Sequence, residues 1–442
     1  MSTPSIPTIA PSAFLDEMRW RGLLHQTTTE SMGEYLAPGG RTAYAGFDPT
    51  ADSLTIGNLI PMRLLADWQR AGHRPIVLMG GGTGLIGDPS GKSAERQLLT
   101  PERVAHHVAR QRETFSRVID FSARGDRAAK LLDNAQWLCD LRYIDLLREV
   151  GKHFSVNQMI MRDSVRTRLE GREQGISYTE FSYMILQAYD FVHLFRAEGC
   201  TVQLGGADQW GNIVSGIDLI RRMAGGEAHG ITNQLVTKAD GSKIGKSEKG
   251  AIYLSADRTS PFRFHQFWLN TADADVGRFL RWYTFLPRER IEELDAAAQD
   301  RPQEREAQRV LANTVTEMIH GPTERAAAEA AGRALFSGEV ASLDARTVEE
   351  IAEDLPATTL EPGELGGEGL ALLDLLPRTT LAASKREARD FLAAGAVLVN
   401  GAKAAHDARL TPRDLLHGRV ALLRRGKKLW HAVRAAESPA GA

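Results

Sequence analysis

The chain has 442 residues, a formal net charge of −2, 43% hydrophobic residues and 25% charged residues. That length exceeds a single core, so two or three domains are expected. The near-zero charge excludes bulk basicity as a route to nucleic acid, and leaves only local patches. Cys139 and Cys200 form no CxxC pair and no ligand cluster with histidine. A protein-bound zinc site is therefore not expected, and a reduced, cytoplasmic compartment fits. Met1 to Ser12 lacks the charged-then-apolar order of a signal peptide, and no segment has the apolar length of a bilayer span.

Residues 42–46 read as a short strand. After an Asp-Pro turn, residues 57–71 place Leu59, Ile60, Leu64, Leu65 and Trp68 at helical spacing. Residues 75–79 read as a buried strand that runs into glycines. Strand, helix, strand is a βαβ unit, which predicts a parallel sheet and an α/β first half. Residues 101–150 are expected to be largely helical, 180–198 helical, and 201–204 a strand. Residues 261–337 are rich in Ala, Glu, Arg and Leu at helical period, which predicts a helical domain. Residues 338–369 carry many acids against one base, Arg346, with Pro362 and several glycines, and read as a linker. Basic residues return over 370–437. The expected organisation is a catalytic domain over 1–260 with a lysine loop at 237–250, a helical domain over 261–337, an acidic linker over 338–369 and a small basic domain over 370–437.

Gly82 to Gly87 fits GxGxxG after a strand. That pattern needs a helix to begin at the glycines and offer its amides to a pyrophosphate. Asp88-Pro89-Ser90-Gly91 follows instead, which is turn sequence, so a nicotinamide-dependent oxidoreductase is a poor reading. Gly91-Lys92-Ser93 and Gly245-Lys246-Ser247 tempt a P-loop reading, but the glycine required five residues earlier is Ile86 or Asp240. The glycine run then implies a close backbone approach to something flat or charged.

The first βα turn, Gly46-Phe47-Asp48-Pro49-Thr50, leads to Leu54-Thr55-Ile56-Gly57-Asn58 at a helix start. Free amides and the helix dipole make that a phosphate-binding arrangement. Far downstream, Asp240-Gly241-Ser242-Lys243-Ile244-Gly245-Lys246-Ser247 interleaves glycines with lysines, as a cationic loop does. Either segment alone reads equally well as solvated surface. Together they resemble the two ATP motifs of class I aminoacyl-tRNA synthetases, His-Ile-Gly-His and Lys-Met-Ser-Lys-Ser. Flanking segments are similar to the bacterial tyrosyl family in particular. They include Tyr44 to Thr50, Ile86 to Lys92, Gly151 to Asn157, Tyr178 to Tyr183, Leu186 to Asp190 and Gln203 to Asn212.

The resemblance spans about residues 14–435 and implies a Rossmann-like parallel-sheet catalytic domain, a helical domain and a small α+β RNA-binding domain. It implies activation of L-tyrosine by ATP with Mg2+, transfer to tRNA(Tyr), and a homodimer. It assigns Tyr44 and Asp190 to the phenol oxygen, Tyr183, Gln187 and Asp88 to the ammonium group, and Gln209 to the carboxylate end. Gly46, Asp48, Gly57, Gly206 and Asp208 fall to the adenosine part. Thr50, Asn58, Lys92, Arg96, Lys243, Lys246 and Ser247 fall to the phosphates, with Thr55 beside them. The carboxylate nucleophile is already ionised, so catalysis reduces to alignment and to stabilising the departing pyrophosphate.

At the C-terminal end, Ser384 to Arg389 and Gly395 to Gly401 resemble a small RNA-binding fold shared with a ribosomal protein. Lys385, Arg386 and Arg389 on its helix, with Arg424, Arg425, Lys427 and Lys428 on a hairpin, are the expected tRNA contacts. One departure stands out. The family's two histidines are Thr55 and Asn58 here. Loss of one phosphate donor costs on the order of a hundredfold in rate, which opens the alternative of a catalytically weakened RNA-binding relative.

Overall fold

The computed structural model describes residues 8–90, 98–170, 175–242, 244–247, 250–426 and 428–436. The chain divides into two compact units. One comprises Met1–Arg258 and Ala272–Ala307; the other comprises Thr259–Thr271 and Gln308–Ala442.

The first unit is built on a six-stranded sheet. Its strands are β1 (Leu24–Thr27), β2 (Thr42–Phe47), β3 (Arg74–Met79), β4 (Lys130–Asp133), β5 (Cys200–Gly206) and β6 (His229–Asn233), in the order β1-β6-β5-β2-β3-β4. All neighbours are parallel except β1 and β6. β2 and β3 are apolar and buried along nearly their whole length, as strands covered on both faces must be. From β2 the chain adds β3 and β4 on one side, then returns to add β5 and β6 on the other. The order reverses between β2 and β5, and a crevice opens at the carboxyl ends of such a pair.

The predicted strand, helix, strand is present, with helix Leu59–Arg70 entered through a 3-10 turn at Ile56–Asn58. The stretch 101–150 differs from expectation. Helix Pro101–Phe115 forms, but Lys130–Asp133 is an edge strand, and only short helical pieces follow. β6 is likewise not predicted by the sequence pattern. It is polar in sequence (His229, Gly230, Thr232, Asn233) yet wholly buried, because it lies between β1 and β5.

The helical stretch 261–337 does not separate as one body. Helices Asp273–Tyr283 and Arg288–Asp300 belong to the first unit. Two buried arginines explain this. Arg21 donates to the carbonyls of Arg281, Thr284 and Leu286, and Arg63 donates to those of Arg281 and Thr284. They satisfy the carbonyls left free where that helix ends.

In the second unit, strands Ala402–Lys403, Val397–Val399, Val420–Arg425, Leu429–Ala435 and Ala357–Leu360 form a sheet in that order. Alternation sends Val420, Leu422 and Ala432 to one face, against Phe262, Ala331, Val348 and Ile351. Ala421, Leu423 and Val433 meet Leu372, Leu375, Ala388 and Leu392 on the other. The expected linker over 338–369 is corrected here. It contains helix Ala345–Asp354, which buries Thr347, Val348, Ile351 and Ala352, and strand Ala357–Leu360, which pairs in parallel with Leu429–Ala435. Acids on the outer face of an amphipathic helix gave the stretch its linker-like composition.

Candidate active site

A cavity of about 410 Å3 opens where the strand order reverses. Its lining includes Tyr44, Gly46, Asp48, Thr50, Gly57 and Asn58 from the first βα turn, and Asp88 after the glycine run. Tyr183, Gln187 and Asp190 come from helix Tyr178–Glu198, and Gly206, Asp208 and Gln209 from the end of β5. The predicted residues of four separate segments thus share one cavity. Lys92, Arg96 and Lys243 lie outside the described residues, and the side chains of Lys246 and Ser247 are likewise not described. Thr55 is absent from the lining, although its partner Asn58 is in it.

At the deep end, Tyr44 and Asp190 are 1% and 2% exposed. The Tyr44 hydroxyl has no hydrogen-bond partner among the described residues. Two side chains hold Asp190: Asn134, which also lines the cavity, donates from Nδ2 to Oδ2 at 2.8 Å, and Trp137 Nε1 donates to Oδ1 at 2.7 Å. Burial pushes the Asp190 carboxyl up to about 7, against those two bonds, with Asp48 and Asp133 adding to the rise. The Tyr44 phenol is driven far above its ordinary range by burial first and the charge of Asp190 second. His193 stacks on Trp137 at 4.1 Å between ring centres.

The middle of the cavity is a polar relay. Gln209 Nε2 donates to Asp88 Oδ2 at 2.8 Å, Gln187 Nε2 to Gln209 Oε1 at 3.2 Å, and Asn212 Nδ2 to Gln187 Oε1 at 2.8 Å. Ser90 N donates to Asp88 Oδ1 at 2.9 Å. Tyr183 donates its hydroxyl proton to Asp48 Oδ2 at 3.0 Å, and Thr83 donates to Asp48 Oδ1 at 2.8 Å. Asp48, expected on the adenosine side, is therefore tied to Tyr183, expected on the ammonium side. Asn134, Trp137, Thr83 and Asn212 were missed as site residues. Thr83 and Asn134 line the cavity themselves, Trp137 and Asn212 act through other side chains, and Asn134 and Trp137 follow the unpredicted strand β4. Gln203 of β5 also lines the wall, and its buried Oε1 has no partner among the described residues.

The end of the cavity at the helix start is a stitched pair of segments. Thr55 N and Thr55 Oγ1 both donate to Asn58 Oδ1, at 2.9 and 3.1 Å. This reciprocal cap uses the amide oxygen of Asn58 and leaves its Nδ2 donor for the cavity. The lysine loop returns beside it. Ile56 N donates to Ile252 O at 3.1 Å, Leu254 N to Leu54 O at 2.8 Å, and Ile252 N to Gly245 O at 3.0 Å. Gly245 has φ +86°, and a Cβ there would meet Ile56 at 2.9 Å, so glycine is required. Arg258 donates to both oxygens of Asp52, at 3.0 and 3.1 Å. The glycine run at 82–87 forms a single 3-10 turn, Thr83–Leu85, and starts no helix. That disposes of a dinucleotide site.

The expected tRNA contacts fall on two faces of the second unit's sheet. Arg425 stacks on Phe391 of helix Lys385–Ala393, which also carries the exposed Arg386 and Arg389. Lys385 of that helix pairs with Asp374 at 2.5 Å. Arg424 turns the other way, over Trp430, and donates to the carbonyls of Leu335 and Phe336. Strand alternation separates 424 from 425. Lys428 is exposed; Lys427 lies outside the described residues.

Residues 40–337 match the family model for tRNA synthetases class I (W and Y), and residues 347–433 match the tyrosine–tRNA ligase SYY-like C-terminal domain. The tyrosine–tRNA ligase of Roseiflexus castenholzii is 50% identical over 424 residues, covering 96% of this chain and 99% of that protein. The chain belongs to the tyrosine–tRNA ligases. The tyrosine–tRNA ligase of Geobacillus kaustophilus is 48% identical over 423 residues, covering 95% and 99%. A C-terminally truncated mitochondrial tyrosyl-tRNA synthetase of Aspergillus nidulans superposes with a TM-score of 0.66 at 29% identity, covering 73% of this chain and 94% of that one. The class I fold and the bacterial-type C-terminal domain expected from sequence are both found in this ligase. The alternative of a catalytically weakened relative draws no support from ligases aligned over nearly their full length.

Proposed function

We propose that this ligase activates L-tyrosine with ATP to tyrosyl-adenylate and pyrophosphate, then esterifies tyrosine to the terminal adenosine of tRNA(Tyr). One observation carries the reading. A single cavity holds a buried phenol, unpartnered among the described residues, beside a buried carboxylate at one end, and the helix start that carries Asn58 at the other. A substrate phenol suits the deep end, because it can donate to Asp190 and accept from Tyr44. A pocket built to bond a hydroxyl rejects phenylalanine by leaving its own polar groups unpaired, a rule for which tyrosyl-tRNA synthetases are themselves the standard illustration.

The substrate ammonium group would sit on Asp88 and Gln187, and on the Tyr183 oxygen, whose lone pairs are unspent by its bond to Asp48. Gln209 then faces the carboxylate. Gly46, Gly206 and Asp208 flank the adenosine part at the carboxyl ends of β2 and β5. The substrate carboxylate attacks the α-phosphorus, the bond to pyrophosphate breaks, and Thr50, Asn58 and the helix amides stabilise the charge that departs. Lys92, Arg96, Lys243, Lys246 and Ser247 would supply further cations and a hydroxyl to the phosphates, as the family resemblance implies. Among the described residues no three His, Cys, Asp or Glu side chains gather as a metal cage. Mg2+ arriving on the ATP phosphates would need few protein ligands.

Arg386, Arg389, Arg425 and Lys428 are the tRNA contacts we favour, and a tRNA substrate fits a cytoplasmic location. Among the described residues no helix is long and apolar enough to cross a membrane. A homodimer accounts for the exposed Tyr143, Ile144, Val156, Met161 and Tyr178, which crowd one stretch of the first unit. Tyrosine-dependent exchange between ATP and pyrophosphate tests the activity. Exchange driven equally by phenylalanine, or none at all, would sink it.

A further inference from the structure

Helix Pro101–Phe115 buries Val104, His107, Val108, Gln111 and Phe115. An inward stripe on an amphipathic helix is ordinarily apolar. His107 and Gln111 break it, one turn apart on the same face. They are 7% and 1% exposed. His107 Nδ1 lies 2.9 Å from the carbonyl oxygen of Pro49, and Gln111 Nε2 donates to the carbonyl oxygen of Ala51 at 2.7 Å. A carbonyl only accepts, so Nδ1 of His107 carries the proton. The two clamped carbonyls stand on either side of Thr50, whose own N–H donates to Asp48 O at 2.8 Å. Thr50 itself is exposed and lines the cavity.

We propose that His107 and Gln111 are positioning residues for the activation step: they anchor the Pro49–Thr50 and Ala51–Asp52 peptide planes, which bracket Thr50, and so aim its hydroxyl at the phosphates. This rests on reading Thr50 as a phosphate contact. The physical case is one of orientation. A turn held only by its own backbone can rock, and a donor that rocks must be reorganised as pyrophosphate leaves. Two buried bonds remove that motion, because breaking either leaves a polar group unpaired in the interior. Arg110 of the same helix also reaches Asp257, but both are about half exposed (44% and 54%). Such a surface pair contributes little, and the clamp does not depend on it.

The test is single-turnover tyrosyl-adenylate formation at saturating ATP, with tyrosine affinity measured alongside, in full-length protein. His107→Leu removes the donor at similar volume. His107→Asn restores an N–H near the place of Nδ1. Thr50→Ala removes the hydroxyl, and the double variant Thr50→Ala with His107→Leu shows whether one acts through the other. The expected result is a drop of about tenfold or more in rate for His107→Leu. Tyrosine affinity should stay within about twofold, most of the rate should return in His107→Asn, and His107→Leu should slow Thr50→Ala little further. If His107→Leu does not fold, Gln111→Met carries the same comparison through Ala51. A wild-type rate in the folded variant, or the same slowing with and without the Thr50 hydroxyl, overturns the clamp. A wild-type rate in Thr50→Ala overturns the reading of Thr50 itself, and is distinguishable because it needs no variant of the helix.

Discussion

On the proposed assignment, Asp190 should make tyrosine selection depend on pH in a calculable way. Its carboxyl ordinarily titrates at 3.8 and is pushed up to about 7 here, by burial before any other cause. The sign is fixed by linkage. The folded state takes up a proton more readily than the unfolded state, so this group favours the fold at low pH. Its contribution is lost as pH rises from about 4 to about 7, on the order of 4 kcal/mol at about 1.4 kcal/mol per decade. Binding runs the other way. A phenol donates best to the ionised carboxylate, so tyrosine affinity should be level above about pH 8. It should weaken about twofold at pH 7 and about tenfold at pH 6. Phenylalanine cannot bond the charge and leaves it desolvated, so its affinity should improve as pH falls. The preference for tyrosine then narrows from both sides. Equilibrium dialysis of each amino acid from pH 6 to pH 8.5, in wild type and Asp190→Asn, measures this. The variant should show a flat, poorly selective profile. A flat profile in wild type would refute the reasoning, and so would the same slope in Asp190→Asn, which would assign the titration to another group.

Tyr44→Phe deletes a buried hydroxyl that lacks a protein partner among the described residues. The ligand-free protein should lose no stability, and gain on the order of 1 kcal/mol by urea melting, while the Tyr/Phe ratio of kcat/KM falls. Asn58→Asp keeps an oxygen for the Thr55 cap but replaces the amide donor with negative charge at the phosphates. Single-turnover activation should fall about a hundredfold with tyrosine affinity held, and an unchanged rate would remove Asn58 from the phosphate site. Charge reversal at Arg386 and Arg389 together should raise the KM for tRNA and weaken its salt dependence, with pyrophosphate exchange untouched. A slowed exchange in that variant would show that the helix does more than hold RNA.

The clustering of the candidate residues was legible from sequence. Tyr44, Asp88, Asp190 and Gln209 were each readable inside their motifs, and they meet in one cavity. The sheet was half legible. β2 and β3 announce themselves as apolar runs, whereas the polar edge strands Leu24–Thr27 and Lys130–Asp133 and the covered strand His229–Asn233 do not. With β4 unseen, Asn134 and Trp137 had no reason to be placed beside Asp190. The linker over 338–369 failed for a different reason. Composition outweighed periodicity, although Val348, Ile351 and Ala352 carry the inward spacing of helix Ala345–Asp354. Thr55 reads in sequence as a shortened phosphate donor, and the bond from its hydroxyl to Asn58 Oδ1 could not be read there.

The pairing of residues 54–56 with 252–254 has a consequence for biosynthesis. The phosphate turn is made early in translation, but the backbone that braces it emerges from the ribosome almost two hundred residues later. Until Leu254 is out, Leu54 O and Ile56 N lack the partners they have in the finished enzyme. A nascent chain that stops at residue 240 already contains β1 to β6 and every described side chain around the phenol end of the cavity. Stalled ribosomes carrying such chains on a linker long enough to clear the exit tunnel should therefore hold all six strands of the sheet before the turn at residues 54–56 is braced, because long-range closure of this kind comes last.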